Sequence, residues 1–138
     1  MAETKWKRFE KLIHQIHTQL APPDAIVTLN DKIIGSESKV ERQLDVTIRV
    51  RVAQYNILIV IECKDEARPV DVGTMGEFAS LLRDVKANKG VLISSSGCTP
   101  AAIDMARAQG MRPARISTQR ASTGNRRSQF PSCSHEQN

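Results

Sequence analysis

A chain of 138 residues has room for one domain with a real core and is too short for two ordinary ones. Aliphatic residues carry the apolar content, against one Trp, one Tyr and three Phe, so a sheet-and-helix core rich in Ile, Val and Leu is expected, and no apolar run approaches the ~20 residues of a membrane span. The net charge of +5 is concentrated in the tail: residues 1–111 hold 15 basic and 14 acidic groups, residues 112–138 hold 5 and 1, so a basic binding face on the folded part is not indicated.

The opening "MAETKWKRFEKLIHQI" is amphipathic and of mixed charge, without the apolar stretch of a secretory signal, and a cytoplasmic protein with no membrane attachment is expected. From Thr4 to Leu20 the residues Trp6, Phe9, Leu12, Ile13, Ile16 and Leu20 recur at spacings of three and four, which predicts a helix with these on its inner face, ended by Pro22 and Pro23. Residues 25–35 read as a short strand with "ND" as a turn. "ERQLDVTIRVRV" alternates, with Leu44, Val46, Ile48 and Val50 on one face and Asp45, Thr47, Arg49 and Arg51 on the other. "AQYN" then turns the chain into "ILIVIECK", a two-sided apolar strand, so the pair should form an antiparallel hairpin.

Val72, Met75, Phe78, Leu82 and Val85 predict a helix reaching about Asn88 and closed by Gly90. "VLIS" is a strand, and Thr99, Pro100 and Gly110 mark the cap, first position and end of a last helix. The strand, helix and strand from 57 to 95 read as a crossover between parallel neighbours. One domain over 1–111 follows, of α/β class, with a central mixed sheet flanked by helices in the order α-β-β-β-α-β-α. Residues 112–138 are Arg/Ser-rich and expected to be disordered, save for an edge strand at 114–117. Cys63, Cys98 and Cys133 are odd in number and form no C-x-x-C pair, so they read as reduced thiols.

Charge at the end of an apolar strand needs a reason, because burying it is costly unless something binds it. Glu62 and Lys64 are two residues apart and leave one face of their strand. If the polar face bearing Asp45 meets them across the hairpin, two carboxylates and an ammonium converge, an arrangement that suits a divalent cation with oxygen ligands, Mg²⁺ or Mn²⁺ rather than zinc.

These residues resemble the restriction-endonuclease-like, or PD-(D/E)xK, nuclease superfamily: Asp45, then Glu62-Cys63-Lys64 on a β-hairpin, preceded by a helix carrying Glu10 in "RFEKLI". "RQLDVTIR", "IECKDEARPVDV" and "KGVLISSSGCTPAAIDMARAQG" look more particularly like its Mrr-like branch, over residues 6–111. The resemblance implies that Asp45, Glu62 and the backbone carbonyl of Cys63 hold Mg²⁺, with Mn²⁺ able to substitute, that Lys64 positions the attacking water and stabilises charge on the phosphate, and that Glu10 is an auxiliary ligand. The implied activity is hydrolysis of phosphodiester bonds in double-stranded DNA, or a junction-resolvase or DNA-repair version of it. Cutting both strands requires a homodimer or sequential nicking.

Each residue also has a structural reading. Glu62 and Lys64 can be an ion pair at a strand end, and Asp45 a solvated residue on an open face. Glu10 borders the apolar stripe of its helix, where a pair with His14 or Lys7 explains it as well. Glu77 stands at capping-box spacing from Thr74, and His14 and His17 read as helix surface. On these readings the chain is a non-catalytic binding module on the same scaffold.

Overall fold

The computed structural model of the chain describes residues 3–116. Helix α1 (Lys5–Leu20) is followed by β1 (Ile26–Ile34), β2 (Glu41–Val52), β3 (Tyr55–Lys64), α2 (Val72–Asp84), β4 (Lys89–Ser94), α3 (Pro100–Ala108) and β5 (Arg112–Arg115). The strands form one mixed sheet in the order β1-β2-β3-β4-β5, antiparallel across β1–β2 and β2–β3 and parallel across β3–β4 and β4–β5. Phe9 and Ile13 of α1 pack with Val46, Ile48, Ile61 and Ile93 on one side of it, and Met75, Phe78 and Leu81 of α2 pack with Ala102 and Ala106 of α3, Val60 and Leu92 on the other. This is the α/β sandwich expected, and among the described residues no helix is long and apolar enough to cross a membrane.

The expected alternation along β2 breaks at Asp45. Val46 and Ile48 lie under α1, whereas Leu44 joins the cluster under α2 and α3. The β1 ladder shows why: it pairs Leu29 with Val46 and Asp31 with Leu44, and skips Asn30 opposite Asp45. Asn30 takes φ +56°, the left-handed conformation that Asn tolerates better than most residues. "ND" is therefore a kink inside a continuous strand rather than a turn. Side chains beyond the kink change sides: Leu29 packs on the α1 side and Ile33 on the other.

Other expectations are corrected locally. The hairpin turn is shorter than "AQYN": Ala53 and Gln54 both have positive φ, at 50° and 73°, between paired Val52 and Tyr55, the pattern of a two-residue turn matched to strand twist. Helix α2 stops at Asp84 rather than near Asn88, and Lys86, at φ +57°, reverses the chain. Gly90 is no cap. It lies buried in β4, where a β-carbon would run into the Leu82 side chain. The edge strand falls at Arg112–Arg115 instead of 114–117, with Met111 and Ala114 buried, so the sheet runs past the boundary expected at 111. The remaining tail, 117–138, for which disorder was expected, lies outside the described residues.

The inner face expected of α1 is narrower than the periodicity implies. Phe9 and Ile13 are buried, but Trp6 is 50% exposed and Leu20 60%. Thr99 caps α3 as expected, its hydroxyl accepting the Ala102 N–H at 3.2 Å, with Gly110 at φ +74° beyond the end. A contact that the sequence does not announce holds the turn between β1 and β2. Buried Asp84 accepts the Glu37 and Ser38 N–H groups at 2.8 and 2.9 Å, the Ser38 hydroxyl at 2.6 Å and the Arg42 guanidinium at 2.7 Å.

Candidate active site

The end of β3 is held on one side only. β4 accompanies it to the last residue, pairing Glu62 with Leu92, Cys63 with Ile93 and Lys64 with Ser94, whereas the β2 ladder ends at Val46 opposite Ile61. Asp45 stands where β2 parts from β3, at the kink described above. Its Oδ2 accepts the Cys63 backbone N–H at 2.8 Å. The break in alternation thus turns Asp45 into the gap, which regular pleating would not do. Lys64 Nζ lies 3.6 Å from Glu62 Oε2, as two side chains leaving one face should. From the other side α1 brings Glu10, 6% exposed and hydrogen-bonded to the Asp45 carboxyl.

Asp45, Glu62, Lys64 and Glu10 therefore come together and line one cavity of about 390 Å³ with Cys63, Trp6, Asp65 and Glu66. Its electrostatics are those of crowded carboxylates. Burial, and next the charge on Asp45, pushes the Glu10 carboxyl up to about 7. Burial also raises Asp45, against the lowering effect of the Cys63 N–H, and raises Glu62, with the Asp45 charge adding to it. The Cys63 thiol is driven well above its ordinary value by burial and the surrounding carboxylates, so it is not a thiolate at neutral pH.

A divalent cation fits this donor set. Like charges that raise one another are relieved by a cation among them. Among the described residues no group of three or more His, Cys, Asp and Glu side chains is placed to hold a metal ion. Mg²⁺ commonly takes one or two carboxylates and keeps several waters. Asp45, Glu62 and the Cys63 carbonyl are the groups available to it, with Glu10 next to Asp45.

Glu77 is not the capping residue its spacing implies. Asp71 caps α2 by accepting the Thr74 N–H at 2.8 Å, and the Glu77 charge is instead among those that raise the Glu62 carboxyl, after burial and Asp45. His14 and His17 stay with the scaffold: His14 Nε2 donates to the Val27 carbonyl at 3.2 Å, and His17 Nδ1 lies 2.8 Å from the Ile13 carbonyl oxygen. Asp65, just past the end of β3, also borders the cavity, its carboxylate 4.0 Å from the Lys5 ammonium of α1.

A mixed sheet between one helix and two, with Asp45 and the Glu62–Lys64 pair at a parting of its strands, defines a domain of the restriction-endonuclease-like class. The chain belongs to the restriction endonuclease family described as Mrr_cat, whose model matches residues 1–116. Among solved structures it is similar to AF1548, a protein of unknown function, with a TM-score of 0.64 at 16% identity over 81% of this chain and 60% of that one. It is also similar to the DNA modification-dependent restriction endonuclease AspBHI, with a TM-score of 0.47 at 17% identity over 85% of this chain and 34% of that one. The chain thus spans about 60% of the first structure's length and about a third of the second's. No curated protein sequence matches it significantly.

Proposed function

We propose that the chain is a Mg²⁺-dependent endonuclease that hydrolyses phosphodiester bonds of duplex DNA. The observation that carries this reading is the meeting of Asp45, Glu62, Lys64 and Glu10 in one cavity at the open end of β3. Mg²⁺ held by Asp45, Glu62 and the Cys63 carbonyl would supply charge neutralisation and a more acidic bound water, the services phosphodiester hydrolysis requires. The Cys63 N–H fixes the Asp45 carboxylate, so that the oxygen not engaged in that bond is directed by the backbone. Lys64, steadied by Glu62, places a positive charge and a proton donor beside the position of the scissile phosphate, where it orients the attacking water and stabilises developing negative charge. Glu10 keeps a carboxyl poised near neutrality next to Asp45, able to hold a proton or a water there.

Supercoiled plasmid incubated with the protein tests the reading. Nicked or linear product should form with Mg²⁺ or Mn²⁺ and not with EDTA, and Glu62→Gln should abolish it. DNA binding without metal-dependent cleavage in the parent protein would favour the binding-module reading instead.

A further inference from the structure

We propose that Arg68 and Arg115 form a phosphate-binding rim, outside the catalytic cavity, that grips the DNA backbone a few nucleotides from the scissile bond; the proposal rests on the nuclease reading. It starts from an imbalance of charge. Five carboxylates, those of Glu10, Asp45, Glu62, Asp65 and Glu66, line the cavity against the single ammonium of Lys64. Such a lining repels a polyanion, and a divalent cation offsets only part of it. Affinity for a duplex therefore has to come from cations beside the cavity.

The sheet places one such cation. Lys64, Ser94 and Arg115 stand side by side at the ends of β3, β4 and β5. Their neighbours Cys63, Ile93 and Ala114 all pack under α1, so these three side chains leave the other face, which Glu62 shares. Two strand spacings, roughly 10 Å, separate Arg115 from Lys64, a span of about three nucleotide steps along one DNA strand. Arg115 is exposed, and its stem lies against Gly97, the Cδ 3.6 Å from where a β-carbon there would stand.

The loop to which Gly97 belongs holds the second cation in place. The Ser95 N–H donates to the Lys64 carbonyl at 3.0 Å, the Ser96 hydroxyl donates to the Glu66 carbonyl, and the Val70 N–H donates to the Gly97 carbonyl at 2.9 Å. Between the anchored Glu66 and Val70, the residues Ala67, Arg68 and Pro69 are all exposed, and Pro69 confines Arg68 to extended backbone. Asp71 beside them is committed to capping α2. Among the described residues neither Arg68 nor Arg115 makes a hydrogen bond or a salt bridge. Two guanidinium groups without carboxylate partners, on segments tied to the catalytic strand, are preorganised for phosphate, which their planar forks meet bidentately.

Fluorescence anisotropy of a labelled DNA duplex, titrated with the protein in EDTA so that no strand is cut, tests the rim. Arg68→Gln and Arg115→Gln should each weaken binding about three- to tenfold and reduce the slope of log affinity against log salt by about 0.9. Arg115→Lys keeps the charge but not the fork, so the slope should return to that of the parent while affinity recovers only in part. Arg107→Gln, the same change of charge in the last turn of α3, should alter neither. With plasmid and Mg²⁺, both rim variants should raise KM and leave kcat near that of the parent. Both side chains are exposed, so melting temperatures should match the parent's; a variant that melts early assigns its arginine to the fold and overturns the rim. No duplex binding by the parent, Gln variants that bind as the parent does, or a loss that Arg107→Gln shares in full also overturns it. Binding that depends on both arginines without metal-dependent cleavage keeps the rim and removes the nuclease, and cleavage indifferent to both does the reverse.

Discussion

The Asp45 carboxylate and the Cys63 backbone N–H are joined at 2.8 Å, so the acidic group at the break in β2 is pinned to the chain between Glu62 and Lys64. The bond sets position and charge separately, and substitution can remove one without the other.

Asp45→Asn keeps an oxygen to accept the Cys63 N–H and loses the negative charge. Plasmid cleavage should fall below detection, and the rise in melting temperature that Mn²⁺ produces in the parent protein should shrink or vanish. Stability without metal should hold or increase slightly, because Glu10 and Glu62 both have their carboxyls raised by the Asp45 charge. A large drop in the metal-free melting temperature would mean that Asp45 serves the fold.

Lys64→Met keeps the apolar stem and removes the ammonium. The Lys64–Glu62 pair, at 3.6 Å, is partly exposed on both sides, so its loss should cost stability only about 1 kcal/mol or less. Metal-induced stabilisation should survive while the cleavage rate falls on the order of a hundredfold or more. The two variants should therefore separate on metal affinity, measured by Mn²⁺ titration of the melting temperature. Failure of both to fold would return Asp45 and Lys64 to a structural role.

Element order and the grouping of Asp45, Glu62 and Lys64 were legible because they rest on local rules: helical spacing around Phe9 and Ile13, two-residue alternation along β3, and the Thr99–Pro100 start of α3. The path by which Asp45 reaches the site was not, since alternation alone leaves Leu44 and Val46 on one side. The switch depends on Asn30 taking a left-handed conformation opposite Asp45, a pairing between strands that neither segment encodes by itself. Gly90 was misread for a similar reason: a glycine after a helix has the signature of a cap, and only the approach of Leu82 shows that it is a packing residue. Trp6 was assigned to the buried stripe because periodicity gives a face but not how far along it the sheet extends.

Gly90→Ala tests that packing. A methyl group at 90 meets the Leu82 side chain, and making room should cost about 1–3 kcal/mol by chemical denaturation. Leu82→Ala alone should also destabilise, through lost burial. The double variant should be more stable than the two losses added together, since the smaller side chain at 82 accepts the methyl. Strict additivity would show that Leu82 does not impose the glycine.

Asp84 offers a pH test away from the site. Hydrogen bonds from Ser38, Glu37 and Arg42 hold its carboxyl well below the ordinary carboxylate range. A group whose folded pKa is depressed stabilises above its unfolded value, about 3.9 for Asp, and loses that contribution as pH falls toward the folded one. Asp84→Asn should therefore melt lower than the parent at pH 7, by an amount that stays level down to about pH 5 and narrows steadily below about pH 4. Arg42→Met, which removes one of the donors, should show the same pH trend with a smaller gap at neutrality. A gap for Asp84→Asn that remains unchanged between pH 7 and about pH 2 would mean that shape, and not the charge bound by the turn between β1 and β2, is what Asp84 contributes.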